Sequence, residues 1–172
     1  MDAEKRTNTE NSLACRGTGE LVERHKLLPS DALSDLTCRQ LIREAIESLK
    51  YAYAPYSGFK TGAALLTKRR TIYTGCNIEN AAFSPSLCAE RTAFAKAVSA
   101  GEREFTAIAI VGGKGGALND YCPPCGVCRQ VMTEFCDPKN FYVILARSED
   151  DYWAYTLMDL LPMSFAPAQL MD

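Results

Sequence analysis

The most informative segments of this chain are CAE at residues 88–90 and, further along, PCGVC at residues 124–128. Together they supply three thiols and one carboxylate. A structural zinc site uses four protein ligands, so zinc held only by Cys88, Cys125 and Cys128 keeps one position open for water. Glu90 stands two residues after the first thiol, where it can move a proton on that water. The pattern indicates a hydrolytic metal site.

Both cysteine segments fall where a strand or loop is predicted to run into a helix. The partial positive charge of a helix N-terminus lowers thiol pKa values and stabilises thiolates. The three negative charges of the thiolates exceed the 2+ charge of one zinc ion, so they would raise the pKa of a zinc-bound water. We therefore expect Arg91 or Arg129, which directly follow the two segments, to hydrogen-bond to a ligand sulfur. The alternative is that both are solvated helix arginines.

Cys122 adds a thiol close to the second segment and leaves other interpretations open. Together with the other three thiols, Cys122 could complete a four-thiolate structural zinc site, in which Glu90 would have no chemical role. The run also resembles an iron–sulfur motif, but Met132 stands where that motif needs its next cysteine. Disulfides are a further interpretation of the eight cysteines. Their tight spacing, without a recognisable secretory signal, favours metal binding instead.

Length and charge limit the class of protein. We expect residues 1–30, which are polar and lack an apolar period, to be a flexible N-terminal extension, and residues 31–172 to form a single domain. The 19 basic and 21 acidic residues leave no basic surface for a nucleic-acid polymer. The sequence contains no apolar stretch of about 20 residues, so no membrane partner is expected. With no secretory signal, a cytoplasmic location is expected.

Apolar periodicity predicts strands that alternate with helices. The predicted helices are 35–49, capped by Ser34 or Asp35, 87–98, 125–135 and 157–161, and the predicted strands are 62–66, 71–76, 105–111, 141–146 and 152–156. The glycine-rich residues 112–116 are predicted to form a mobile loop. This order predicts an α/β fold with three layers, α/β/α, around a mixed five-stranded sheet whose first two strands are antiparallel.

Three motifs together resemble a known family. CAERT at 88–92, PCGVCRQ at 124–130 and GCNIENA at 75–81 resemble the small homotetrameric cytidine deaminases, and the match extends from about residue 36 to 168. Cysteine replaces the histidine found in zinc deaminases of nucleotides and polynucleotides, a variant typical of the free-nucleoside branch. The resemblance implies a cytidine deaminase-like fold, one Zn²⁺ per chain, and a homotetramer with shared active sites.

The resemblance also implies a role for each residue of the metal site. Cys88, Cys125 and Cys128 are the implied zinc ligands. Glu90 is the implied proton shuttle: it would take a proton from the zinc-activated water, deliver it to N3 of the pyrimidine, and help the C4 amino group leave as ammonia. Ala89 is expected to offer backbone groups to the base.

The implied substrate contacts lie elsewhere in the chain. Asn77 and Glu79, two residues apart on an extended segment, project to the same side and could both reach a ribose hydroxyl; a capping or surface role is the alternative. Phe59 resembles the aromatic residue that packs on the base, unless it is an ordinary core residue. Phe165 resembles the aromatic residue that enters a neighbouring subunit's pocket, unless it packs locally. Phe83 stands where relatives often have tyrosine.

These features favour hydrolytic deamination of cytidine and 2′-deoxycytidine to uridine and 2′-deoxyuridine plus ammonia, a reaction of pyrimidine salvage. One alternative is a relative that acts on another aminopyrimidine, such as the nucleoside antibiotic blasticidin S. Asn77 and Glu79 argue for a ribose and so against that alternative. The other is a zinc-stabilised binding module without turnover, and Glu90 argues against it.

Overall fold

The computed structural model describes residues 33–170, so the predicted N-terminal extension at 1–30 lies outside the described residues. The helices are α1 (Asp35–Ser48), α2 (Ala89–Ser99), α3 (Gly126–Phe135) and α4 (Leu157–Leu160), and the strands are β1 (Phe59–Thr67), β2 (Ile72–Cys76), β3 (Phe105–Lys114), β4 (Tyr142–Ser148) and β5 (Asp151–Thr156). Short 3₁₀ turns occupy Leu49–Tyr51 and Pro167–Gln169. None of the helices within 33–170 is long and apolar enough to cross a membrane.

The five strands form one mixed sheet in the order β2-β1-β3-β4-β5. β1 is antiparallel to both β2 and β3. β3 and β4 are parallel, as expected for strands joined through a helix, and β4 and β5 are again antiparallel. The predicted mixed five-stranded sheet with an antiparallel first pair is therefore confirmed.

Helices cover both faces of the sheet because its central strands are apolar on both sides. Successive side chains of a strand point to opposite faces. In β1, Ala63 and Leu65 pack in the core that α2 and α3 cover, whereas Ala64 and Leu66 pack in the core that α1 covers. A strand buried on both faces is a near-continuous apolar run. The predicted three-layer α/β/α arrangement is thus present.

The prediction of a mobile loop at residues 112–116 is wrong for residues 112–114, which belong to β3. Gly112 and Gly113 continue β3 and pair with Thr61 and Lys60 of β1. Glycine is needed there because other groups lie too close for a side chain: a Cβ on Gly113 would stand 1.7 Å from the carbonyl oxygen of Ala117. The glycines are strand residues at a close backbone approach.

Another close approach fixes α2 against the sheet. A Cβ on Gly75 in β2 would stand 2.3 Å from the Ala89 carbonyl oxygen and 2.5 Å from the Ala93 nitrogen. Both of these atoms belong to the backbone of α2, so they cannot move aside as a flexible side chain would. Gly75 therefore sets how near the first turns of α2 lie to β2.

We predict that Gly75→Ala lowers the free energy of unfolding by about 1–3 kcal/mol, because the added methyl group forces α2 away from β2. Urea denaturation of the variant and the wild type measures this difference. Gly126→Ala is the control, since a Cβ on Gly126 meets nothing within 4 Å. Equal stability of Gly75→Ala and wild type would show that α2 does not depend on this contact.

Candidate active site

Three thiols meet where the N-termini of α2 and α3 approach each other. Cys88 is the N-cap residue of α2 and Cys125 that of α3, and Cys128 lies in the first turn of α3. The sulfurs of Cys88 and Cys125 are 3.8 Å apart, and those of Cys125 and Cys128 are 3.4 Å apart. The three sulfur atoms all lie within 4.8 Å of one another. One helix turn brings residues three apart to the same side, which explains the second pair.

This spacing fits a tetrahedral zinc ion. Zinc–sulfur bonds of about 2.3 Å at tetrahedral angles put the sulfurs about 3.8 Å apart. Cys122 is outside the group of three, so the site has the ligand count that leaves a coordination position open. The seven cysteines within the described residues are all free, so none of these thiols is committed to a disulfide.

The surroundings of the thiols favour the ionised form at Cys88. The neighbouring thiol of Cys128 lowers the pKa of Cys88 to about 5, and the Arg91 guanidinium acts in the same direction. Arg91 also donates to the Ser86 carbonyl oxygen at 2.5 Å, which fixes the guanidinium beside the site. A thiolate is the form that binds zinc.

The two arginines have different partners. Arg91 is close enough to Cys88 to lower the pKa of its thiol, and the expected hydrogen bond from an arginine to a ligand sulfur stays a prediction. Arg129 instead donates to two carbonyl oxygens, those of Pro124 and Leu160, each at 2.8 Å. It therefore ties the residue before Cys125 to the end of α4 and makes no bond to a ligand sulfur.

Glu90 lies in the first turn of α2 with only 3% of its surface exposed. Its Oε2 atom has no hydrogen-bond partner, and burial raises the pKa of the Glu90 carboxyl above its ordinary value. Leaving a buried polar atom unpaired costs about 1–3 kcal/mol. An unpaired carboxylate oxygen beside three thiols marks a group available to a ligand rather than to the fold.

Glu90 opens onto a cavity of about 680 Å³, large enough for a small molecule. Three of the predicted substrate residues line this cavity, namely Phe59, Asn77 and Glu79, together with Cys88, Arg91 and Cys125 from the thiol site. The structure therefore brings the predicted base and sugar contacts to the same cavity as the predicted metal site.

Two predicted substrate residues are not among those that line the cavity. Ala89 is fully buried beneath β2. Phe165 lies after α4, where its carbonyl oxygen accepts a hydrogen bond from Gln130 Nε2 at 2.7 Å and its side chain remains 57% exposed. Within the described chain Phe165 does not reach the cavity that contains Glu90.

Asn77 and Glu79 are both anchored to the segment that begins β1. Asn77 accepts from the Thr61 backbone N–H at 2.8 Å and donates to the Phe59 carbonyl oxygen at 2.8 Å. Glu79 Oε2 accepts from the backbone N–H groups of Tyr56 and Ser57 at 2.9 and 3.2 Å. These bonds hold the edge of the cavity in shape, and Asn77 and Glu79 also face its interior.

Several residues of the cavity carry no signal that sequence patterns detect. Tyr56 and Ser57, in the turn before β1, hydrogen-bond to Glu79, and Thr61, within β1, hydrogen-bonds to Asn77, so all three line the cavity. Cys122 lines it as a free thiol, and burial, together with the charges of Glu90 and Cys88, raises its pKa to about 11. A high pKa keeps Cys122 neutral, unlike Cys88.

The chain matches the family model for the cytidine and deoxycytidylate deaminase zinc-binding region over residues 37–144. It is 47% identical to a cytidine deaminase of Sporosarcina psychrophila over 131 residues, and the aligned region covers 76% of this chain and 93% of that protein. It is 44% identical to a cytidine deaminase of Halalkalibacterium halodurans over 134 residues, and the aligned region covers 78% of this chain and 98% of that protein. The crystal structure of cytidine deaminase from Burkholderia pseudomallei superposes with a TM-score of 0.67 at 44% identity and covers 73% of this chain and 97% of that one.

The fold and the site thus define a zinc-binding hydrolase that acts on C–N bonds, with three thiols placed to hold the metal. The chain belongs to the cytidine deaminase family. The resemblance found in the sequence motifs is confirmed, as are the predicted enzyme class and metal.

We predict that Cys128→Ala loses most of its zinc and unfolds at lower temperature, because a metal that joins two helix starts couples binding to folding. Elemental analysis of the purified protein and a thermal melt measure the two effects. Cys76→Ala is the control, since Cys76 is outside the group of three thiols. One zinc per chain in Cys128→Ala would show that the ligand set is different.

Proposed function

We propose that the chain deaminates cytidine and 2′-deoxycytidine to the corresponding uracil nucleosides, as a cytoplasmic enzyme of pyrimidine salvage. The observation that carries this proposal is the unpaired, buried Glu90 oxygen beside three thiols, in the same cavity as Asn77 and Glu79. Glu90 supplies a group for proton transfer, and the polar pair supplies groups for a sugar. A binding module without turnover would not explain the unpaired carboxylate.

Zinc held by Cys88, Cys125 and Cys128 would supply a Lewis acid that activates water. The net reaction places the oxygen of one water on C4 and releases the amino nitrogen as ammonia, so one proton must reach N3 and another the leaving nitrogen. Glu90 is assigned both transfers, because a carboxylate that gives up each proton it accepts is regenerated. Its burial keeps bulk water from competing for these protons.

Asn77 and Glu79 retain hydrogen-bonding capacity for a ribose hydroxyl. An amide side chain can form about four hydrogen bonds, two as donor and two as acceptor. Asn77 uses one of each for Thr61 and Phe59, which leaves one N–H donor and one acceptor site. A carboxylate accepts about four bonds, and Glu79 also has a site left. A sugar hydroxyl, which both donates and accepts, matches this pair.

We predict that Glu90→Gln keeps its zinc and still binds nucleoside, whereas kcat falls by at least about 10²-fold, since glutamine cannot carry the proton. The loss of cytidine absorbance measures turnover, and calorimetric titration with uridine measures binding. Glu134→Gln is the control, because Glu134 is exposed on α3. Turnover within tenfold of wild type would remove Glu90 from the assigned role.

We further propose a homotetramer in which Phe165 completes the cavity of a neighbouring subunit. Phe165 is exposed and anchored through its backbone to Gln130, and Met163 beside it is 92% exposed. Exposed apolar side chains of this size are typical of a surface that another chain covers. A pocket built from two chains would make activity depend on assembly.

We predict that Phe165→Ala raises KM, because base–aromatic stacking contributes about 1–3 kcal/mol per base. A mixed assembly tests the subunit exchange. When Glu90→Gln and Phe165→Ala chains are refolded together, some cavities should combine an intact Glu90 from one chain with an intact Phe165 from another, and activity should exceed the mean of the two parents. Refolding each parent alone is the control. Activity equal to that mean, or an active monomer in sedimentation, would contradict the shared cavity.

A further inference from the structure

Ser57 links the two sides of the cavity through its hydroxyl group. The Phe59 backbone N–H donates to Ser57 Oγ at 2.9 Å, and Ser57 Oγ donates to Glu79 Oε1. All three residues line the cavity. One hydroxyl therefore joins the start of β1, which carries the predicted base contact, to the carboxylate that is proposed to contact the sugar.

The hydrogen bonds to Glu79 leave one of its oxygens with spare capacity. Each carboxylate oxygen offers about two acceptor sites. Oε2 fills both with the backbone N–H groups of Tyr56 and Ser57. Oε1 accepts only from Ser57 Oγ, so one site remains on it. A sugar hydroxyl and the Ser57 hydroxyl would thus share the same oxygen atom.

We propose that Ser57 is a positioning residue for sugar recognition: its hydroxyl holds Glu79 Oε1 in the orientation that presents the remaining acceptor site to a sugar hydroxyl of the nucleoside. This inference rests on the proposed nucleoside deamination. It assigns Ser57 no contact with the reacting atoms, and it makes the preference for a hydroxylated sugar depend on a residue outside the zinc and glutamate motifs.

The charge state of Glu79 agrees with this role. The hydrogen bond from Ser57 and the backbone N–H groups of Tyr56 and Ser57 lower the pKa of Glu79 below its ordinary value. Glu79 therefore remains ionised at neutral pH and acts only as an acceptor. A hydrogen-bond acceptor that is held in place favours ligands with a donor at the matching position. A sugar hydroxyl provides such a donor, whereas a sugar carbon without a hydroxyl does not.

The turn does not depend on the Ser57 hydroxyl alone. The two backbone N–H bonds to Glu79 Oε2 remain when the hydroxyl is removed, and Gly58 N–H donates to the Ala54 carbonyl oxygen at 3.0 Å. Ser57 is exposed, so a small change of side-chain volume is tolerated. Loss of the hydroxyl should therefore affect ligand orientation more than folding.

We predict that Ser57→Ala raises KM for cytidine about tenfold and changes kcat by less than about twofold, as expected for a hydrogen bond to a charged group. For 2′,3′-dideoxycytidine, which lacks both secondary hydroxyls of the sugar, KM should change by less than about twofold. Ser57→Thr, which keeps the hydroxyl, should resemble wild type, whereas Ser57→Val, which matches threonine in shape, should resemble Ser57→Ala. In a Glu79→Gln background Ser57→Ala should have little further effect.

Calorimetric binding of cytidine and 2′,3′-dideoxycytidine to the same variants in a Glu90→Gln background, where nucleoside is bound but not deaminated, keeps the test independent of turnover, with Ser99→Ala, at the end of α2, as the control. Weaker binding of cytidine but not of dideoxycytidine in Ser57→Ala supports the inference. An equal effect on both nucleosides, or none on either, overturns it while the deaminase function stands. Binding without any deamination by the wild type would instead refute the proposed function.

Discussion

The meeting of two helix N-termini on one face of the sheet is the constraint on which the site depends. α2 leads into β3 and α3 leads into β4, and these two strands are parallel neighbours. Helices that precede adjacent parallel strands on one face begin at the same end of the sheet. Cys88 and Cys125 occupy the N-cap positions of these helices. The sheet order thus brings distant cysteines within bonding distance of one metal ion.

Sequence patterns predicted the elements and the thiols because both depend on local spacing. Cys125 and Cys128 share one helix turn, and near-continuous apolar runs mark β1 and β3. The partners of Arg129 were not predictable in this way, since the Leu160 carbonyl oxygen is distant in sequence. Gly112 and Gly113 were misread because a glycine run resembles a loop until the packed atoms around it are known.

The polar residues of the cavity hold its edge in shape and retain hydrogen-bonding capacity. Asn77 and Glu79 hold the turn and the first residues of β1, and each keeps a hydrogen-bonding site that the fold does not use. Residues already fixed by the protein lose little conformational entropy when a ligand binds. The cavity is therefore preorganised by the same bonds that shape it. Sequence resemblance singled out this pair, but it did not reveal the Ser57 hydroxyl that joins Glu79 to the start of β1.

Glu90 shows how the fold sustains a group that does not stabilise it. An unpaired buried carboxylate oxygen costs about 1–3 kcal/mol, which is a large part of a net stability of about 5–15 kcal/mol. The helix that carries Glu90 packs through Ala93 and Phe94 into the apolar core, and Gly75 lets it lie close against β2. This packing offsets the cost and keeps the carboxylate from turning outward to water. Glu90 therefore stays beside the thiols, unpaired and available to a ligand.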